Sequence, residues 1–345
     1  MALKDVKGHE RQIDMLRHAL KTGRVSSSYL FAGEEGIGKK LIAVNFAKAL
    51  NCKNAYHDSL DACDKCSSCR KIDSNIHPDF SIIGPEQGET EDWAGVEKEV
   101  QGSSQKRSYE IKVSEIRRIE EEVLSLKSFE AKTKVVIVDD AHAMNLSASN
   151  AFLKSLEEPP LDSVIILITS SPNSLLETIR SRCMRINFKP LSPENSRDVI
   201  RTGRKSRSSE VVDQLVRLSM GRPGLAVSDD LIKGRDRFME LLKAILTPQS
   251  KALWKDRADI EQWLDTALTV LRDMAVFKIT ASVDALINRD MAEAIKNLCS
   301  KTDTVVIIEC YRKLLGVRGY VRFNLNKAIT WNYVGSVLRG SKVNA

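Results

Sequence analysis

Apolar residues fall at helical spacing between positions 10 and 20, where Ile13, Leu16, Ala19 and Leu20 share one face and Gly23 stands just beyond. That spacing predicts an amphipathic helix. Short apolar runs follow at residues 29–32, 80–83, 135–138, 164–168 and 184–188. Each is four or five residues long and mostly aliphatic, which is the composition of strands buried in a parallel sheet. Helical patterns separate them at 41–50, 114–126 and 147–156. Strands alternating with helices predict a doubly wound α/β sheet. The polar stretch 84–109 has no apolar period and reads as an exposed insertion, with Trp93 as a local anchor. Beyond Pro190 the strand signal stops. Ser192-Pro193-Glu194 reads as a helix start with proline in the first turn. Residues 215–227, broken by Gly221-Arg222-Pro223-Gly224, read as two short helices around a tight turn. Longer helical patterns at 260–276 and 304–315 make the second half all-α.

A chain of 345 residues has room for about two or three domains. With 42% hydrophobic and 29% charged residues it has an ordinary globular balance. The formal net charge of +7 is mild for this length; it permits contact with nucleic acid without predicting it. No apolar run approaches the roughly 18 residues that span a bilayer, and residues 1–9 contain no apolar core of the signal-peptide kind. The expectation therefore excludes membrane-spanning and secreted proteins. Seven cysteines, four of them close together, point instead to a reducing cytoplasm and a metal.

The run at 29–32 leads directly into Gly33-Glu34-Glu35-Gly36-Ile37-Gly38-Lys39-Lys40 and then into a helical pattern. Strand, glycine loop and helix in that order make a phosphate cradle: backbone N–H groups of Gly33, Gly36 and Gly38 wrap the anion, and Lys39 reaches the outer phosphates. The following position breaks the pattern. A hydrolysing loop carries Ser or Thr there to ligate Mg²⁺, whereas Lys40 has no lone pair to offer and would repel the ion. The run at 135–138 delivers Asp139 and Asp140 to its carboxyl end, where metal-proximal acids stand. Asp140 occupies the place of a water-polarising Glu but is one methylene shorter. That retracts its carboxylate by about 1.5 Å, and a misplacement near 1 Å can cost about 10²-fold. ATP binding remains open on this reading, and Mg²⁺-dependent hydrolysis is not expected. The plainer alternative is that both acids merely cap the next helix.

Cys52-x10-Cys63-x2-Cys66-x2-Cys69 follows the loop's helix. Four thiolates at this spacing suit tetrahedral Zn²⁺, and with no open coordination position the role is structural. An iron–sulfur cluster is the competing occupant. Cys183, Cys299 and Cys310 read as core residues.

Taken with Asn150-Ala151-Phe152-Leu153-Lys154-Ser155-Leu156-Glu157-Glu158-Pro159-Pro160 and Ser181-Arg182-Cys183, these motifs carry a resemblance. The chain resembles the delta-prime family of bacterial DNA polymerase III clamp-loader subunits, within the AAA+ class. The resemblance is dense over residues 8–190 and looser beyond. It implies an α/β P-loop (AAA+) domain over 1–190 with a zinc module inserted at 52–69. A small all-α lid over 191–235 and an all-α C-terminal collar over 236–345, which holds subunits in a ring, would follow. It implies that Arg182 is an arginine finger acting in trans on a neighbour's ATP, a role suited to an always-charged, bidentate guanidinium. Thr169 or Ser170 would sense the γ-phosphate, and Arg222 falls where the lid carries its second sensor. Implied partners are the gamma/tau and delta subunits, and through the complex the sliding clamp and primer-template DNA. Such subunits often carry degraded nucleotide sites, which agrees with Lys40 and Asp140. Two other readings stand beside this one: an active ATP-hydrolysing subunit, and a zinc-dependent nucleic-acid-binding module using Lys106-Arg107 or Arg201, Arg204, Lys205 and Arg207.

Overall fold

The computed structural model describes residues 1–54, 61–85, 110–203, 207–227, 230–247, 251–321 and 325–340. The polar insertion from residue 86 onward, with Trp93, Lys106 and Arg107, lies outside the described residues, as do Arg204 and Lys205.

All five apolar runs are strands: β1 (Ser28–Ala32), β2 (Phe80–Ile83), β3 (Lys134–Val138), β4 (Ser163–Thr169) and β5 (Met184–Asn187). They form one sheet in the order β2-β3-β4-β1-β5, and every pairing is parallel. β1, β3 and β4 are buried along their whole length, while β5 at one edge buries only Ile186. Alternate residues serve opposite faces. Tyr29, Phe31, Ile137 and Ile166 join Ile13 and Leu16 of α1 (Glu10–Thr22) and Ile42 and Phe46 of α2 (Lys39–Asn51). Leu30, Val136, Val138 and Leu167 face the other way. There they meet α4 (Val113–Ile119), α5 (Leu146–Glu157) and α6 (Glu177–Ser181), while α3 (Ser67–Asp73) lies beyond α2 in the chain. The sheet is covered on both faces, which is why its strands read as continuous apolar runs rather than alternating ones.

The expected helix at 114–126 is α4 followed by a π-turn over Glu120–Leu124, in which the Ser125 N–H donates to the Glu120 carbonyl at 2.8 Å. After β5 every described element is helical: α7 (Pro193–Gly203), α8 (Ser209–Ser219), α9 (Pro223–Val227), α10 (Asp230–Leu246), α11 (Arg257–Thr280), α12 (Ala292–Lys301), α13 (Thr304–Tyr320) and α14 (Lys327–Gly340). None of the helices among the described residues is long and apolar enough to cross a membrane.

The chain divides into two compact units. Met1–Gly203 with Met220–Gly224 contains the sheet, and Arg204–Ser219 with Leu225–Ala345 is helical. The helical unit has its own core, in which Trp254 packs against Trp263 and edge-on against Trp331. A fully buried carboxylate, Asp273, accepts from the backbone N–H groups of Ile287 and Asn288 and so fixes the turn before α12.

Candidate functional site

The carboxyl ends of β1, β3 and β4 lie side by side and deliver the glycine loop, the acidic pair and Thr169 to one rim of the sheet. Ligands bind at this rim in open parallel sheets. Gly36 and Gly38 hold φ of 75° and 100°, a backbone region that favours glycine. At Gly33 an added Cβ would stand 2.6 Å from the Phe188 carbonyl oxygen, so only glycine fits beside the end of β5. The first turn of α2 begins as the loop ends, with the Ile42 N–H donating to the Gly38 carbonyl.

Lys39 is buried and folds back on the loop, its Nζ donating to the carbonyls of Gly33 at 2.7 Å and Glu34 at 2.5 Å. Burial pulls its pKa below the usual lysine value, against the nearby acids Asp140 and Asp139. Three further contacts hold the loop from outside. His9 Nε2 donates to the Ile37 carbonyl at 2.8 Å, with the ring edge-on to Phe188. The Gly224 N–H donates to the Gly36 carbonyl at 2.8 Å, and Arg222 Nε lies 3.7 Å from Glu34 Oε2. The turn expected at 221–224 thus rests directly on the loop. Burial also lowers the His9 pKa, which favours the neutral ring.

Lys40 places its Nζ 3.2 Å from Asp139 Oδ2. A side-chain ammonium therefore pairs with the acid at the end of β3, where a metal-binding site would use that carboxylate. The other Asp139 oxygen accepts the Asp140 N–H at 3.2 Å. Asp140 sits in the left-handed region at φ 48° and opens a short turn over Ala141–Ala143 without a side-chain cap, so helix capping does not account for it. Thr169 is fully buried; its hydroxyl accepts the Ser171 N–H and lies 3.3 Å from His142 Nδ1, whereas Ser170 is exposed.

The four expected thiols converge. Sγ atoms of Cys52, Cys63, Cys66 and Cys69 all lie within 4.8 Å of one another. A tetrahedral zinc with Zn–S near 2.3 Å places its sulfurs about 3.8 Å apart, so this donor set fits one such ion. Backbone N–H groups point at the sulfurs: Cys63 N donates to Cys52 Sγ at 3.3 Å, and Cys66 N to Cys63 Sγ at 3.3 Å. Burial opposes ionisation of Cys66, yet the N–H groups of Cys69 and Lys53, together with hydrogen bonds to the Cys69 and Cys63 thiols, outweigh it and bring its thiol down to about 6. Burial, with the neighbouring thiols, pushes Cys69 upward. The module is also tied to the start of the chain. Buried Asp61 accepts the N–H groups of Leu3 and Lys4 at 2.9 Å each, and Ala2 packs with Cys52 and Cys69. Lys48, with no exposed side-chain surface, pairs with Asp73 at 2.8 Å and with Asp64.

Arg182 ends α6 at the surface, between buried Ile179 and buried Cys183. Its Nη1 donates to the Thr178 carbonyl at 2.9 Å, and its Nη2 lies 2.7 Å from Glu157 Oε1. An in-chain ion pair is therefore present at the expected finger. Cys183, Cys299 and Cys310 are buried core residues, as expected.

Sequence reading gives no role to His9, Asp61, Asp79 or Glu157, because the hydrogen-bond partners described for the first three lie 28 to 58 positions away and that of the last lies on a separate motif. For Asp61 the partner Leu3 is 58 positions distant. Asp79 receives the N–H groups of Phe129, Glu130 and Ala131, the last of them 52 positions distant. The motif containing Glu157 carried a signal, but only as part of a resemblance.

Comparison with known proteins follows the same lines. The family model described as DNA polymerase III, delta subunit, matches residues 8–192. The chain is 27% identical to DNA polymerase III subunit delta' of Bacillus subtilis over 297 residues, 83% of this chain and 82% of that protein. It is 28% identical to DNA polymerase III subunit delta' of Pseudomonas aeruginosa over 315 residues, 88% of each. A shorter match, 35% identical over 190 residues, covers 55% of this chain and 29% of DNA polymerase III subunit tau of Bacillus subtilis. Among solved structures, a gamma subunit-related protein of Thermotoga maritima aligns over 95% of this chain and 99% of its own, at 17% identity and a TM-score of 0.45. With a family match over more than half of its length and relatives that align along most of theirs, the chain belongs to the DNA polymerase III delta subunit family, on the delta-prime side.

Proposed function

We propose that this chain is a clamp-loader subunit of DNA polymerase III, of AAA+ type, that works in replication without hydrolysing ATP itself. The observation that carries the reading is the Lys40–Asp139 pair at 3.2 Å. A hydrolysing loop uses a hydroxyl at the first of these positions and a carboxylate at the second to hold Mg²⁺. Here one residue supplies the positive charge and the other is neutralised by it. Lys39 turned onto the loop carbonyls and the shorter Asp140 agree with a loop that retains its fold and has lost turnover.

On this reading Gly33, Gly36, Gly38 and Lys39 form a degenerate nucleotide loop, in which ATP could be held but not cleaved. Arg182 reaches the ATP of the adjacent gamma/tau subunit, where its guanidinium neutralises charge developing on the transferred phosphoryl oxygens. A finger supplied in trans is worth about 10³–10⁵ in rate in GTPases. Cys52, Cys63, Cys66 and Cys69 hold a structural zinc, which supplies a rigid clip and no chemistry. Residues 191–235 serve as lid and 236–345 as collar, placing the chain beside gamma/tau and delta in the cytoplasm. The sliding clamp and primer-template DNA are met through the complex.

The test is Arg182→Ala in a reconstituted complex. ATP turnover at the adjacent site and clamp loading on primed DNA should both fall, with assembly unchanged by gel filtration. Unchanged turnover and loading in an assembled complex would refute the finger.

A further inference from the structure

Arg182 is held in a defined place before any neighbour arrives. Cys183 and Ile179 bury the backbone on either side of it, the Thr178 carbonyl takes one Nη1 N–H at 2.9 Å, and Glu157 lies 2.7 Å from Nη2. Glu157 is the last residue of α5, an element whose Phe152 and Leu156 are buried in the core on that face of the sheet. The sequence offers two adjacent glutamates, Glu157 and Glu158, and the former makes the pair with Arg182. The Glu157 side chain is 49% exposed and that of Arg182 is 35% exposed. An ion pair in that setting contributes little to folding. Its consequence is conformational. A long side chain with several rotatable bonds loses that freedom when it docks, and a group fixed beforehand loses less. Guanidinium carries five N–H donors, so a grip on Nη1 and Nη2 still leaves donors for an anion.

We propose that Glu157 is a positioning residue for Arg182, anchoring the guanidinium to the rigid end of α5 so that it enters the neighbouring subunit's phosphate site already oriented. This rests on the reading of Arg182 as a finger acting in trans. Glu157 touches no nucleotide and acts through Arg182 alone. The hydrogen-bond acceptor matters more than the charge, because the task is orientation rather than neutralisation.

The test compares Glu157→Ala, Glu157→Gln and Glu158→Ala in the reconstituted complex, each with Arg182 intact and with Arg182→Ala. Turnover is measured across ATP concentration, and the melting temperature of each chain is recorded. Glu157→Ala should lower the Arg182-dependent part of kcat about threefold to tenfold at unchanged KM, with melting unchanged. Glu157→Gln, which keeps an acceptor oxygen, should recover most of the loss, and Glu158→Ala should have no effect. In the Arg182→Ala background, Glu157→Ala should change nothing further. Three results overturn the proposal while the finger stands: full activity of Glu157→Ala beside an impaired Arg182→Ala, equal losses in both backgrounds, or a loss confined to KM. If Arg182→Ala is itself fully active, the finger fails and the positioning role fails with it.

Discussion

On the proposed reading, Lys40 changes what the glycine loop does while leaving its shape. Its ammonium lies 3.2 Å from Asp139 and supplies locally the charge that a divalent ion would bring. Replacing Lys40 with Thr removes that charge and adds a hydroxyl. Titration calorimetry should then show ATP binding at least tenfold tighter with Mg²⁺ than without it, whereas the unaltered chain should show no such dependence. Asp79 makes a second residue-scale case. Burial would raise its carboxyl, but the N–H groups of Glu130, Phe129 and Ala131 prevail and hold it below the usual aspartate value. A carboxyl lowered by folding stabilises the folded state above its unfolded pKa, near 3.9, and that contribution is lost as pH falls through the folded value. Asp79→Asn should therefore cost about 2 kcal/mol at pH 7 and progressively less as pH falls below the unfolded value, as read from denaturant unfolding across that range. The identities of Lys40 and Asp140 were legible in the sequence because motif spacing fixes what each position must do. Asp79, Asp61 and Glu157 were not, since each depends on a partner that only the folded chain brings near.

Elements were more legible than their joints. Every apolar run became a strand because burial on both sheet faces leaves a continuous aliphatic signature. The helix at 114–126 was placed correctly but changes to a π-turn at Glu120, a distinction that side-chain periodicity does not carry. Spacing brought the four cysteines into view, and the structure adds what they hold: Asp61 on their loop fixes Leu3 and Lys4. Cys66→Ser, or chelation of the native protein, should release a single zinc ion per chain by metal analysis. Amide exchange should then rise in residues 1–6 and 61–73 together; iron in place of zinc would contradict the assignment. Contact between the 220–224 turn and the glycine loop is equally tight, since a Cβ on Gly224 would stand 2.8 Å from the Gly36 carbonyl oxygen. Gly224→Ala should break that hydrogen bond and speed amide exchange over residues 33–40, with the sheet strands unaffected.

At the scale of the whole molecule, the sheet-containing unit runs past the change in pattern at Pro190: it keeps α7 and the 220–224 turn, and the rest of the helical half forms the second unit. Strand order could not be read from the sequence, because five similar apolar runs give no hint that β1 lies between β4 and β5. That order matters: it brings the glycine loop, Asp139 and Thr169 to one rim. The proposed subunit contributes to a complex through Arg182 while its own loop stays silent. Steady-state ATP hydrolysis by the purified chain alone, with and without Mg²⁺, tests that silence most directly. The account predicts no turnover above background in either condition. Clear Mg²⁺-dependent turnover, abolished by Lys39→Ala, would contradict it and make the chain a motor subunit.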